Sequence, residues 1–316
     1  MANLNSSYLK FCEKARLSKS KKDNLITSRE ANRDRIKKYF QDTLKEKIPQ
    51  FFQQGSFSFK TTINPIAGEY DVDDGVYLQN LNEDFLTKLK PETAQDWIAE
   101  SVKDATKAKV VCKPSCVRII YANDYHIDLP VYGVKDDTTY LAHRKSNTWI
   151  QNDPKGFNDW FYEKLNNASE QLRRNIIYLK AWADFNSLNK ISGILLTVLV
   201  CKNHISVDDR DDKSLFETLK QIINSLTIYR TEIMPVAPYD NLLEKYNVAE
   251  IDQIINSFVN LKSACEKAIS ETDDEKASAF LIELFGDRFV LVETKENGDK
   301  SFAIPVNASI PKPWHR

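Results

Sequence analysis

Glycine is scarce in this chain, eight in 316 residues, and methionine scarcer at two. Internal repeats and low-complexity segments are also missing, which excludes a fibrous protein or a Gly/Ser tether. Charge of one sign is absent: 44 Lys and Arg stand against 45 Asp and Glu. That balance excludes a protein that grips polyanions by bulk attraction, so activation by nucleic acid is not expected. No apolar run approaches the roughly eighteen residues of a membrane span. The most apolar stretch, residues 191–201, has the length of a buried core helix. The polar, basic N-terminus lacks the apolar core of a secretory signal, so a cytoplasmic protein without membrane contact is expected. Five cysteines (Cys12, Cys112, Cys116, Cys201, Cys265) are odd in number and scattered, which suits free thiols. Cys112 and Cys116 alone are close; with no CxxC or HxxxH pattern to complete a zinc site, they read as a turn between two strands.

What is present suits a folded protein. Hydrophobic residues make up 42% and aromatics 11%, enough for a core, and the length suggests two lobes. Residues 1–50 are locally basic, thirteen Lys and Arg against six Asp and Glu. Ile36, Phe40, Leu44 and Ile48 recur there at helical spacing. Residues 70–78 alternate like a strand with one apolar face, and Pro91 opens a helix carrying Ala94, Trp97, Ile98 and Val102. Strands are predicted over 116–121 and 125–134, joined by the hairpin turn Ala122-Asn123-Asp124. Beyond residue 150 the pattern turns helical, over 158–165, 169–185, 191–203, 215–229 and 251–270. A strand pair over 289–293 and 302–306 flanks the turn Glu296-Asn297-Gly298-Asp299, and an exposed tail closes the chain at 311–316. The outline is α+β, with lobes at 1–165 and 166–316.

The chemistry sits in Gly55-Ser56, Asp71-x-Asp73 and the isolated strand aspartate Asp128. Residues two apart on a strand share a face, so Asp71 and Asp73 present both carboxylates to one side. Ile127, Leu129 and Val131 leave Asp128 on the face opposite their own. Three carboxylates on neighbouring strands repel unless something offsets them, and hard divalent cations do so. Two such ions suit in-line phosphoryl displacement, and a glycine turn lets backbone N–H groups approach a phosphate. Read singly these parts are weak: Asp-x-Asp is usually a solvated strand face, and Asp73-Asp74-Gly75 could itself be a turn. Phe59 and Tyr77 are candidates to stack on a base, although core packing is the commoner fate. His126 shares the face of Asp128 and reads as a hydrogen-bonded structural histidine. Of Arg173 and Arg174, one is expected to face the cleft and the other solvent.

Gln54-Gly55-Ser56-Phe57, Glu69-Tyr70-Asp71-Val72-Asp73-Asp74-Gly75-Val76-Tyr77 and His126-Ile127-Asp128-Leu129-Pro130 resemble the polymerase-β-type nucleotidyltransferases. Within them, the chain is similar to the bacterial cGAS/DncV-like nucleotidyltransferases (CD-NTases) of antiphage signalling systems (CBASS), in the cyclic GMP-AMP-synthesising branch. Trp149-Ile150-Gln151-Asn152-Asp153-Pro154, Asp159-Trp160-Phe161 and Leu172-Arg173-Arg174 running into Tyr178-Leu179-Lys180-Ala181-Trp182 fit the same pattern. The resemblance covers residues 50–200 and implies a mixed-sheet core, a C-terminal helical lobe and an active site between them. It implies joining of two or three NTPs (ATP, GTP or pyrimidine nucleotides) into a cyclic second messenger, with pyrophosphate released at each bond. Two Mg²⁺ ions are implied, with Mn²⁺ able to substitute. Asp71 and Asp73 match the metal-holding pair, and Asp128 the third carboxylate, which activates the attacking hydroxyl. Gln54, Gly55 and Ser56 match the triphosphate turn, and Lys180 and Ser192 the triphosphate-gripping pair of the helical lobe. Family members are often more serine-rich where this chain has Lys190-Ile191-Ser192-Gly193. Lys180 also lies beside the buried stripe Leu172, Ile176, Leu179 and Ala183, where it can reach a phosphate; by pattern alone, a stem lying along the helix with its ammonium in water is the commoner fate. A monomer whose product is read by a separately encoded effector is expected. Two alternatives remain: transfer of a nucleotide to a tRNA, protein or small-molecule acceptor, and a nucleotide-binding module with idle catalytic residues.

Overall fold

The computed structural model describes residues 1–103, 108–122 and 125–291. The chain opens with helices α1 (Asn5–Ala15) and α2 (Lys19–Tyr39), and α2 ends in a π turn, Phe40–Leu44. Next come β1 (Gln50–Gln54), the single-turn helix α3 (Gly55–Ser58), β2 (Tyr70–Tyr77), α4 (Phe85–Lys88) and α5 (Pro91–Val102). Six strands follow: β3 (Lys109–Cys112), β4 (Val117–Tyr121), β5 (Tyr125–Leu129), β6 (Val131–Lys135), β7 (Thr138–His143) and β8 (Thr148–Gln151). The remaining helices are α6 (Pro154–Ala168), α7 (Glu170–Phe185), α8 (Gly193–Asn203), α9 (Asp211–Tyr229), α10 (Val248–Ser270) and α11 (Asp274–Phe285). None of the described helices is long and apolar enough to cross a membrane.

The strands form one mixed eight-stranded sheet. β1 runs antiparallel to β2, while β5 and β6 both pair β2 in parallel. Tyr70 lies opposite Tyr125 and Val76 opposite Val131, so β5 and β6 are one strand in a single register, broken at Pro130. Proline has no N–H for the ladder, but its carbonyl still accepts from Val76 N at 2.8 Å. The single strand expected over 125–134 is thus cut in two where its donor is missing. β4 pairs antiparallel with β5, Tyr121 opposite Tyr125; Asn123 and Asp124 of the expected turn lie outside the described residues. The turn between β3 and β4 closes with Lys113 N donating to Cys116 O at 2.8 Å.

Period-two alternation assigns the two faces. Val72, Val76, Val117, Ile119, Ile127 and Leu129 are buried against Leu25 and Ile36 of α2 and Ala94 and Ile98 of α5. Asp74 has the same parity and is also fully buried. Arg33 of α2 meets it with two bonds, Nε to Oδ2 at 2.7 Å and Nη2 to Oδ1 at 2.6 Å. The other parity carries Asp71, Asp73 and Asp128.

A second core joins α7 to α11, and α1 and α6 add Tyr8, Phe11, Phe157 and Phe161 to it. Apolar burial therefore changes partner twice along the chain. Within it, α8 is apolar nearly all round, with Leu195, Leu196, Val198, Leu199 and Val200 at most 1% exposed. Each such side chain contributes about 1.5–3 kcal/mol of transfer free energy. No strand begins at 289. Phe289 instead packs on Tyr8, Phe11 and Phe285, and residues 292–316, with the partner strand and the tail, lie outside the described residues.

Candidate active site

A cleft of about 1140 Å³ separates the sheet from the helical lobe. Gln54, Gly55, Ser56, Asp71 and Asp73 line it from one side, Lys180 and Gly193 from the other.

Gly55 links β1 to α3 with φ +68°, and a Cβ there would overlap Oδ2 of Asp73. Glycine is required on both counts, the left-handed backbone and the close approach of the turn to the carboxylate. Ser56 Oγ bonds Thr62 Oγ1 at 2.9 Å. Gln54 turns its amide away from the turn, with Nε2 donating to the Tyr132 hydroxyl at 3.0 Å.

Asp73 lies opposite Asp128 in the parallel pairing of β2 with β5, and Asp71 lies opposite His126. Among the described residues no hydrogen bond reaches the carboxyl of Asp71 or Asp73. Burial, followed by the nearby charges of Asp71 and Asp128, pushes the Asp73 carboxyl well above the usual carboxylate range. Burial raises Asp71 as well, against the pull of His126. Asp128 differs, because Arg118 clasps it with Nε to Oδ1 at 2.8 Å and Nη2 to Oδ2 at 2.7 Å. The tight set of donors is Asp71, His126 and Asp128, whose ligand atoms all lie within 4.8 Å of one another. Asp73, predicted to belong to that set, leans instead against the Gly55 turn.

Lys180 Nζ reaches across the lobe junction and donates to Thr61 Oγ1 at 3.2 Å. Burial lowers its pKa to about 8, with Asp71 and Asp73 pulling the other way. Ser192 is exposed and serves as the N-cap of α8, its Oγ accepting from Leu195 N at 3.3 Å. Neither Ser192 nor Asp128 is among the residues lining the cleft.

Phe59 stacks on Phe161 at 4.2 Å and Tyr77 on Tyr132 at 4.8 Å, so both rings are spent in the protein interior. One of the two arginines is expected in solvent, but both are tied down: Arg174 binds the buried Asp211 at 2.5 and 2.8 Å, and Arg173 Nε donates to Phe59 O at 2.8 Å. Sequence reasoning passed over two groups at the site, Arg118 and Glu69. Counting back from the β4–β5 turn pairs Arg118 with Asp128, a signal that was available. Glu69 precedes its strand and accepts from His126 Nδ1 at 2.9 Å; no local pattern announces that contact.

Residues 49–132, which span Gln54 to Asp128, match the family model of the nucleotidyltransferase domain of DncV-like cyclic GMP-AMP synthases. The chain carries a DncV-like nucleotidyltransferase domain. It is 24% identical over 319 residues to a c-di-GMP synthase of Roseivirga ehrenbergii, covering 83% of this chain and 80% of that protein. It is 26% identical over 235 residues to the cyclic GMP-AMP synthase of Vibrio cholerae, covering 56% of this chain and 52% of that enzyme. The chain thus spans about half the length of that relative. In fold it matches V. cholerae DncV bound to the linear intermediate 5′-pppA(3′,5′)pG, with TM-score 0.73 and 22% identity over 88% of this chain and 93% of that one. The match to V. cholerae DncV with GTP and 5MTHFGLU2 has TM-score 0.78 at 21% identity, over 92% and 99% of the two chains. These structural matches place the DncV-like domain in a DncV fold, a mixed sheet facing a helical lobe.

Proposed function

We propose that this DncV-like nucleotidyltransferase joins purine nucleoside triphosphates into a cyclic dinucleotide messenger. The observation that carries the reading is the cleft face of β2, where among the described residues Asp71 and Asp73 have no hydrogen-bonding partner, beside a glycine turn and opposite Lys180. The donor set suits a divalent cation: carboxylates crowd together and one buried nitrogen among them lacks a partner. Asp71 and Asp73 would hold it, with Asp128 completing the set from β5. Mg²⁺ is the expected ion, two per site, with Mn²⁺ a substitute. Such a cation, when bound, stabilises the charge on the attacking and leaving oxygens and lowers the pKa of the attacking hydroxyl.

The protein's own groups do the rest. Backbone N–H groups of the Gly55-Ser56 turn receive the triphosphate, and Lys180, cationic below about pH 8, faces it from the helical lobe. Asp128, fixed by Arg118, draws the proton of the attacking 2′- or 3′-hydroxyl. That oxygen bonds to the α-phosphorus of the second nucleotide as the bond to its β-phosphate breaks, releasing pyrophosphate. Repeating the step on the linear product closes the ring. The cleft exceeds the roughly 300–1,000 Å³ of a typical small-molecule site, which suits two nucleotides. Both relatives named above make products containing guanosine, which favours GTP, with ATP, among the substrates. The sheet-bearing lobe and the helical lobe then act as jaws, with α1 and α6 packed into the helical core. A cytoplasmic monomer in antiphage defence, whose product a separate effector reads, completes the reading.

Incubation with labelled GTP and ATP, Mg²⁺ and no acceptor tests it. A phosphatase-resistant labelled product is expected. Label that is retained only when a tRNA or protein acceptor is added would contradict it.

A further inference from the structure

We propose that His126 is a ligand of the catalytic-site cation, and that its nitrogen makes the site favour a divalent transition ion such as Mn²⁺ over Mg²⁺. The inference rests on the proposed function only for the presence of a cation on this face of the sheet.

His126 sits on β5 opposite Asp71 and two residues before Asp128, so all three side chains share the cleft face. It is 6% exposed. Glu69 Oε2 lies 2.9 Å from Nδ1 and, as a carboxylate, accepts the proton there. The lone pair is thereby placed on Nε2, which is buried and has no hydrogen-bond partner. Nε2 lies 3.8 Å from Oδ2 of Asp71 and 3.8 Å from Oδ2 of Asp128. At that distance neither contact is a hydrogen bond. A nitrogen lone pair and two carboxylate oxygens therefore face one another at close quarters, an arrangement that is repulsive until a cation sits between them. Both separations from Nε2 are less than twice the roughly 2.0–2.2 Å of metal–nitrogen and metal–oxygen bonds, and all three donors lie within 4.8 Å of one another, so a small inward shift of the carboxylates lets one ion reach all three. The clasp of Arg118 uses one lone pair on each oxygen of Asp128 and the Cys116 thiol takes a third, which still leaves one for an ion.

Glu69 supplies the remaining part. A histidine that ligates a metal through one nitrogen almost always donates the other N–H to a carboxylate, which sets the tautomer and raises the ring's basicity. Glu69, His126 and the carboxylate pair have that order. Mg²⁺ prefers oxygen ligands and water, whereas imidazole suits transition ions. A site with one imidazole among its donors therefore shifts toward the latter.

The test uses the full chain and Mn²⁺ alone, without nucleotide. Pulsed electron paramagnetic resonance of the bound ion should show coupling to an imidazole ¹⁴N. His126→Leu should abolish the coupling, weaken Mn²⁺ binding by about tenfold or more, and lower the Mg²⁺ excess needed to displace Mn²⁺ by a similar factor. Glu69→Gln, at a half-exposed position that tolerates change, should keep the coupling and weaken binding about tenfold. Bound Mn²⁺ without nitrogen coupling, coupling that survives in His126→Leu, or affinity unchanged in Glu69→Gln would each overturn the assignment. Nitrogen-bound Mn²⁺ in a protein that makes no nucleotide product would contradict the proposed function and leave this assignment standing. A cyclic product made with an ion held through oxygen alone would do the reverse.

Discussion

Two regions of this molecule treat their carboxylates in opposite ways. At the base of the helical lobe, Asp211 receives Arg174 at 2.5 and 2.8 Å, the Tyr178 hydroxyl at 2.6 Å and Gln171 Nε2 at 2.8 Å. Its neighbour Asp212 takes Arg210 through both oxygens, at 2.8 and 2.7 Å. Burial pushes the Asp211 carboxyl up, but these bonds win and hold it below the usual range. On the cleft face of the sheet Asp73 is crowded by Asp71 and Asp128, receives no hydrogen bond among the described residues, and is pushed well up. Where a buried carboxylate serves structure, cations and donors are folded in with it. Asp71 and Asp73, half-buried against the cleft, have no such partner among the described residues, the pattern of a functional rather than a structural acidic pair.

Substitution should separate the regions sharply. Asp73→Asn, or Asp71→Asn, is expected to reduce nucleotide turnover at least a thousandfold, about 4 kcal/mol of barrier. An acid whose folded pKa is raised destabilises the fold at neutral pH, so Asp73→Asn should melt at or above the wild-type temperature. A variant that melts lower, or turns over normally, breaks the comparison. Asp211→Asn should behave the other way and lose about 3 kcal/mol in urea unfolding, because Arg174 is left without its partner. The stability that Asp211 contributes is present above the ordinary carboxylate pKa and fades as pH falls through its lowered folded value. Unfolding at pH 7 and pH 3 should therefore show the two proteins converging.

Lys180 sharpens the comparison from the cation's side. With its pKa lowered to about 8, it is charged below that pH and neutral above. We expect kcat/KM to fall about tenfold per pH unit on the alkaline side, and Lys180→Gln to lose that limb. Ser192→Ala should have the smallest effect, about 1 kcal/mol of stability from the lost cap, with kcat close to wild type.

The residues made legible by sequence are those whose role follows from local period. Alternation along 70–78 put Asp71 and Asp73 on one face, and Pro91 for α5 and three-and-four spacing for α7 and α10 place those helices within a few residues. Helix α11 and strands β7 and β8 escaped because short, mixed segments carry weak periodicity. At the site, the partners of the acidic groups were hidden for another reason. Arg33 reaches Asp74 from 41 residues away and Glu69 reaches His126 from 57, and such pairings exist only once the strands are in register. The fate of Ser192 shows the converse: a serine ahead of an apolar run is an N-cap by local rule, and the cap is the role its hydroxyl plays here.

The most direct test of the contrast between matched and unmatched carboxylates is anomalous scattering from crystals holding Mn²⁺ and a non-hydrolysable nucleoside triphosphate. The account predicts metal peaks about 2.1 Å from carboxylate oxygens of Asp71 and Asp73, and none at Asp211 or Asp212. Peaks elsewhere in the cleft, with Asp71 and Asp73 free of metal, would contradict it.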